Sequence, residues 1–254
     1  MDLALETKGL SRLFGDLRAV DGIDLAVPSG SLYGFLGPNG AGKSTTIRCL
    51  TGLLRPSSGT VRILGLDLDR DELAIKRQVG VVPEDQALFE RLSAVETLTF
   101  VGRVHALAPQ VVTQRTRELL DLFELTPAAA RMVADYSHGM RKKLALAVAL
   151  LPSPRLLFLD EPFEGIDAVA SRQIKEILHN FVHRGGTVFL MSHILEIVER
   201  LADHIGIIHH GRLVAQGPLA ELRHGADDHR SLEEVFIGLV GGEGAGRSDL
   251  EWLG

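Results

Sequence analysis

The sequence predicts an α/β fold: a core with a mainly parallel sheet, an N-terminal antiparallel β subdomain and an inserted α-helical subdomain. Two apolar runs, Leu156–Leu159 and Thr187–Met191, lack polar alternation, as strands covered on both faces do. A helical pattern from Ile166 to His183 separates them, the spacing of a parallel crossover. From Ser93 to Leu151 the periodicity is helical with few strand signals, whereas the first third reads as short strands joined by turns.

Taken along the chain, Val20 to Val27 alternates apolar and acidic residues like a half-buried strand. Leu32 to Leu36 is a strand feeding a glycine-rich loop, and Lys43 to Leu54 reads as a helix. Gly59–Leu64 and Gln78–Val82 are further strands. Ser93-Ala94-Val95-Glu96 has the spacing of a capping box. After Pro154 strand and helix alternate again, and Gly185-Gly186 closes the helix begun at Ile166. His204–His209 and Arg212–Gln216 flank His210-Gly211 as a hairpin, and Ser231–Val240 is a short helix. Four glycines in the six residues from Gly241 predict a flexible tail. The expected organisation is one domain over 1–240, with the helical subdomain at about 91–151, and a tail over 241–254.

Composition narrows the partners. Apolar residues make up 45% and charged residues 24% of the chain, as in a soluble globular protein. The net charge of −6 offers no global field for nucleic acid, and none is expected as a partner. The triplet Arg141-Lys142-Lys143 reads as a solvated helix face. A single cysteine, Cys49, excludes an internal disulfide and fits a reducing, intracellular setting, with packing as its role. The N-terminus has acids among its first six residues and no apolar run, unlike a secretory signal. The longest apolar stretch, Leu144–Leu151, falls far short of the roughly 18 residues a membrane span needs.

Two motifs carry chemistry. Gly37-Pro38-Asn39-Gly40-Ala41-Gly42-Lys43-Ser44-Thr45 satisfies G-x-x-x-x-G-K-[ST], with an apolar strand before it and a helix after it. Its glycines let successive N–H groups point at phosphates, and the helix N-terminus adds partial positive charge. Lys43 would reach the β- and γ-phosphates of a nucleoside triphosphate and Ser44 would ligate Mg²⁺. The second motif is the carboxylate pair Asp160-Glu161 at a strand end. Adjacent residues there leave on different sides, which suits two jobs: Asp160 holding Mg²⁺, and Glu161 orienting the attacking water and accepting its proton. Both stay ionised only beside a strong positive charge.

Laid end to end, these motifs resemble the ATP-binding cassette (ABC) family from about Leu3 to Leu222. Gly37–Thr45 matches its Walker A motif, Leu156–Glu161 its Walker B motif, and Tyr136-Ser137-His138-Gly139-Met140 its five-residue signature. The resemblance implies a P-loop ATPase core using ATP and Mg²⁺. It further implies that Ser137 and Gly139 donate to the γ-phosphate held by a second subunit, identical or related. Gly165-Ile166-Asp167 matches the loop that helps to join the subunits, and His193 the switch histidine that contacts the γ-phosphate. Phe14 sits where an aromatic residue stacks on adenine. The departures are His138 for glycine, Met140 for glutamine, and Glu84 where a glutamine usually touches Mg²⁺ or the attacking water. With the PFEGID segment and the closing SLEEVFIGLV, these features resemble ATPases of ABC-2-type exporters. The resemblance implies a cytoplasmic subunit, peripheral at the membrane face, that energises a separate transmembrane permease. The alternative is a soluble regulatory or nucleic-acid-associated ATPase on the same cassette. Such proteins usually carry tandem cassettes or a coiled-coil insertion, and this chain has one phosphate loop and no heptad run.

Overall fold

The computed structural model describes residues 2–223 and 231–241. The chain opens with β1 (Leu3–Phe14), β2 (Leu17–Ile23) and β3 (Ala26–Pro28), then β4 (Leu32–Leu36), which runs into α1 (Lys43–Leu50). β5 (Ser58–Ile63), β6 (Leu66–Asp67), α2 (Glu72–Lys76) and β7 (Val79–Val82) follow. The next stretch holds α3 (Ala94–Val104), α4 (Pro109–Leu122) and α5 (His138–Leu150). Then come β8 (Leu156–Asp160), α6 (Ala168–His183), β9 (Thr187–Met191) and α7 (Leu195–Leu201). β10 (His204–His209), β11 (Arg212–Pro218), α8 (Leu219–Arg223) and α9 (Leu232–Val240) complete the described residues.

Six strands form the central sheet in the order β11-β10-β4-β9-β8-β7. Its pairs from β10 to β7 are parallel and only edge strand β11 is antiparallel. Every residue of β4, β8 and β9 is buried, which is why these strands read as unbroken apolar runs. On one face, Leu157, Leu159, Val188 and Leu190 pack with Leu98, Leu144 and Ile174 of the covering helices. On the other, Phe35, Phe158 and Phe189 meet α1 and the N-terminal antiparallel sheet. The Phe189 ring lies 5.6 Å from Tyr33, 5.4 Å from Phe35 and 5.7 Å from Phe158. A ring fully removed from water contributes about 2–3 kcal/mol, so this cluster fixes the spacing of three neighbouring strands.

Because these strands are parallel, their C-terminal ends reach one edge of the sheet, where ligands bind in open α/β folds. β4 delivers the phosphate loop there, β8 Asp160 and Glu161, β9 Ser192 and His193, and β7 Pro83 and Glu84.

Several boundaries differ from the sequence expectation. The run Val20–Val27 is two strands, β2 and β3. Buried Thr7 donates its hydroxyl to the Ile23 carbonyl and accepts from the Leu25 N–H, both at 2.8 Å, so a side chain interrupts the ladder. The helix expected from Ile166 starts at Ala168, because Asp167 caps it by accepting from Val169 and Ala170 N–H at 2.8 and 2.9 Å. α1 stops at Leu50, short of Leu54, with Gly52 in the left-handed region. The Ser93 capping box and the hairpin at His210-Gly211 form as expected. Cys49 is buried in the core, and burial pushes its thiol up to about 11, which keeps it unreactive. Beyond Gly241 the expected tail lies outside the described residues. Among those residues no helix is long and apolar enough to cross a membrane.

Candidate functional site

The loop Gly37–Thr45 is shaped by close backbone approach. Gly42 has φ +105°, and a Cβ there would lie 2.3 Å from the Ala19 carbonyl oxygen. A Cβ at Gly37 would lie 2.5 Å from the Ile208 carbonyl oxygen, so neither position admits a side chain. Gly42 precedes α1 and supplies no side-chain cap, leaving the first N–H groups of the helix for an anion. Lys43 folds over the loop and donates to the carbonyls of Gly37 at 2.7 Å and Pro38 at 3.1 Å. Burial lowers its pKa, against the opposing pull of Glu161, Asp160 and Glu84.

A cleft of 480 Å³ opens beside this loop, lined by Phe14, Arg18, Asn39, Lys43, Ser44 and Thr45 among others. Phe14 is half-exposed there, with the Arg12 guanidinium carbon 4.6 Å from its ring centroid. His210 lines the same cleft. The sequence reading assigns it no role, because its position depends on a contact far along the chain: the Gly211 N–H donates to the Ala41 carbonyl at 2.9 Å.

Asp160 and Glu161 are 8% and 6% exposed. Glu161 has φ +47°, a left-handed conformation costly for a residue with a side chain. The ends of β8 and β9 hold it there. Its N–H donates to the Met191 carbonyl at 3.0 Å, Ser192 Oγ donates to its Oε2 at 3.1 Å, and His193 Nδ1 lies 2.9 Å from its Oε1. Asp160 is different: its Oδ1 is buried without a hydrogen-bond partner. Burial, then the nearby Glu84 and Glu161 carboxylates, push its pKa up to about 7, while Arg48 and Lys43 oppose the shift. Arg48 is a basic neighbour of the site that carries no motif and so stays hidden in the sequence.

These groups fit Mg²⁺. Ser44, Asp160 and Glu84 offer oxygen atoms, the donors a hard cation prefers, and the orphaned Oδ1 lacks the partner such a cation would provide. Among the described residues no cluster of three or more His, Cys, Asp or Glu could hold a metal by itself.

The signature residues stand elsewhere. Ser137 caps α5 by accepting from the Met140 N–H at 3.2 Å, and its hydroxyl keeps its own proton to donate. A side chain added at Gly139 would meet open space. Neither residue lines the cleft that holds Phe14 and Lys43. The basic triplet corrects the sequence expectation, since it is not a solvated face. Arg141 pairs with Glu90 at 3.1 Å, Lys143 with Glu124 at 3.4 Å, and Lys142 is buried.

Comparison with known proteins identifies the family. The family model described as ABC transporter matches residues 20–164. The daunorubicin/doxorubicin resistance ATP-binding protein DrrA of Streptomyces peucetius is 42% identical over 220 residues, 87% of this chain and 67% of that protein. The bacitracin transport ATP-binding protein BcrA of Bacillus licheniformis is 35% identical over 224 residues, 88% of this chain and 72% of that protein. A solved structure described as the ATP-binding subunit of an ABC transporter matches with a TM-score of 0.87 at 32% identity, covering 94% of this chain and 99% of that one. The chain belongs to the ABC transporter family, as one of its ATP-hydrolysing subunits.

Proposed function

We propose that this chain powers export through a separate membrane-spanning permease, which it meets at the cytoplasmic face. Two such subunits close around two ATP molecules, each bound by one subunit's phosphate loop and the other's signature. One observation carries the shared-site reading: Ser137 and Gly139 lie outside the cleft of Lys43, with the glycine facing open space. In this reading the signature serves the phosphates of the other subunit's nucleotide. Export is supported by the names of the relatives, which are resistance and transport ATP-binding proteins, and by the sequence resemblance to ABC-2-type exporter ATPases.

In this reading Phe14 stacks on adenine, and the N–H groups of residues 37–45 with Lys43 hold the phosphates. Ser44, Asp160 and Glu84 would hold Mg²⁺, which would supply positive charge against the phosphates. Glu161 orients the attacking water and accepts its proton, while Ser192 and His193 steady its carboxylate. His193 also reaches the γ-phosphate, and Asp167 lies where the two subunits meet.

Glu161→Gln tests this. Turnover should fall by about 10²- to 10⁴-fold while ATP still binds, and ATP should shift the variant to a dimer in size-exclusion chromatography. A variant that hydrolyses ATP at the wild-type rate, or stays monomeric with ATP bound, refutes the proposal.

A further inference from the structure

Lys142 lies on the second turn of α5, one turn after His138, so the two share a helix face. It is 4% exposed, and a buried ammonium is costly unless it holds something. Its Nζ donates to the backbone carbonyl of Glu161 at 2.6 Å. The same carbonyl closes the following turn by accepting from the Glu164 N–H at 3.3 Å. His138, one of the two residues that depart from the usual signature, places Nε2 3.3 Å from the Glu164 carbonyl, and its ring borders Gly165. Its Nδ1 lies 3.5 Å from Gln86 Nε2, in the loop after β7. One face of α5 therefore grips both ends of the turn that begins at Glu161.

That grip has a mechanical consequence. Glu161 occupies a left-handed conformation that persists only where its surroundings over-determine it. Ser192 and His193 hold its carboxylate from β9, and Lys142 holds its peptide from α5. We propose that Lys142 is a positioning residue for Glu161, and that it ties the signature helix to the general base of the same subunit. Engagement of Ser137 and Gly139 with a partner's ATP is then felt at this subunit's own Glu161. Each active site thus reports to the other. This inference rests on the shared-site reading above and deepens it.

The test is ATP turnover by Lys142→Met, which keeps the chain's length and apolar stem and removes the donor. The expected result is a kcat lower by about 10- to 100-fold, as for a catalytic group displaced by a fraction of an ångström, with the KM for ATP within about 3-fold of wild type. Residues acting as a unit are non-additive, so adding Lys142→Met to Glu161→Gln should lower the residual rate no further. A folded Lys142→Met protein with wild-type kcat overturns the proposal. So does a loss that multiplies with that of Glu161→Gln, the mark of a general structural role. Should circular dichroism show Lys142→Met unfolded, Lys142→Leu, which likewise removes the donor, is judged by the same two criteria. Wild-type turnover is the control: its absence would count against the functional reading, not against Lys142.

Discussion

Asp160→Asn should stabilise the nucleotide-free protein at alkaline pH. In an unfolded chain this carboxyl titrates near 3.8, and in the fold it does so at about 7. Below about 3.8 both states are protonated and the group is neutral in the balance. As pH rises from there to about 7 the unfolded state ionises first, so the fold loses stability, and above 7 the whole penalty is present. A shift of about three units corresponds to about 4 kcal/mol. Asp160 also borders a 580 Å³ cleft with Glu84 and Arg48, where water screens part of the charge, so about 2 kcal/mol is expected. For a chain of this size that is a rise of about 4–8 °C in Tm. Differential scanning fluorimetry in a metal chelator at pH 8 reads it directly, and at pH 5 roughly a third of the gain should remain. Adding ATP and Mg²⁺ in excess should close the gap by stabilising the wild type. A variant no more stable than wild type at pH 8 would show that Asp160 is not held at an energetic cost, and the cation assignment would lose its physical basis.

Phe14→Ala should raise the KM for ATP by about 2- to 12-fold, the worth of one aromatic stacking contact, with kcat unchanged; a lower kcat at constant KM would remove Phe14 from the nucleotide. Gly42→Ala must strain a φ of +105° and displace the Ala19 carbonyl, so nucleotide affinity should fall by at least about 10-fold, as read by titration with a fluorescent ATP analogue.

How much of this was legible in the sequence depended on whether the cause was local. Leu156–Leu159 and Thr187–Met191 read as central strands because both faces are buried, and the pattern needs no tertiary knowledge. The phosphate loop and the carboxylate pair read well because their chemistry demands fixed residue types at fixed spacing. Strand β1 was not legible. It pairs with β2, β3 and β5 through shifts in register, and those bulges break the alternation that would announce it. Lys142 and Arg48 escaped for another reason. A basic residue on a helix looks solvated until the packing around it is known, and the carboxylates that face both come from other elements. His210 likewise became a cleft residue only through the bond from Gly211 to the phosphate loop.

The order β4-β9-β8-β7 means that the phosphate loop, His193, the carboxylate pair and Glu84 arrive on adjacent strands. Sheet hydrogen bonding keeps such neighbours about 4.8 Å apart, so the spacing between reacting groups is inherited from the backbone rather than chosen by side chains. Substitutions at the strand tips can change which atoms are presented, but not how far apart their supports stand. Retuning this centre for another leaving group would therefore have to proceed through the length of the connecting segments, since the ladder beneath them is a ruler that no single residue can redraw.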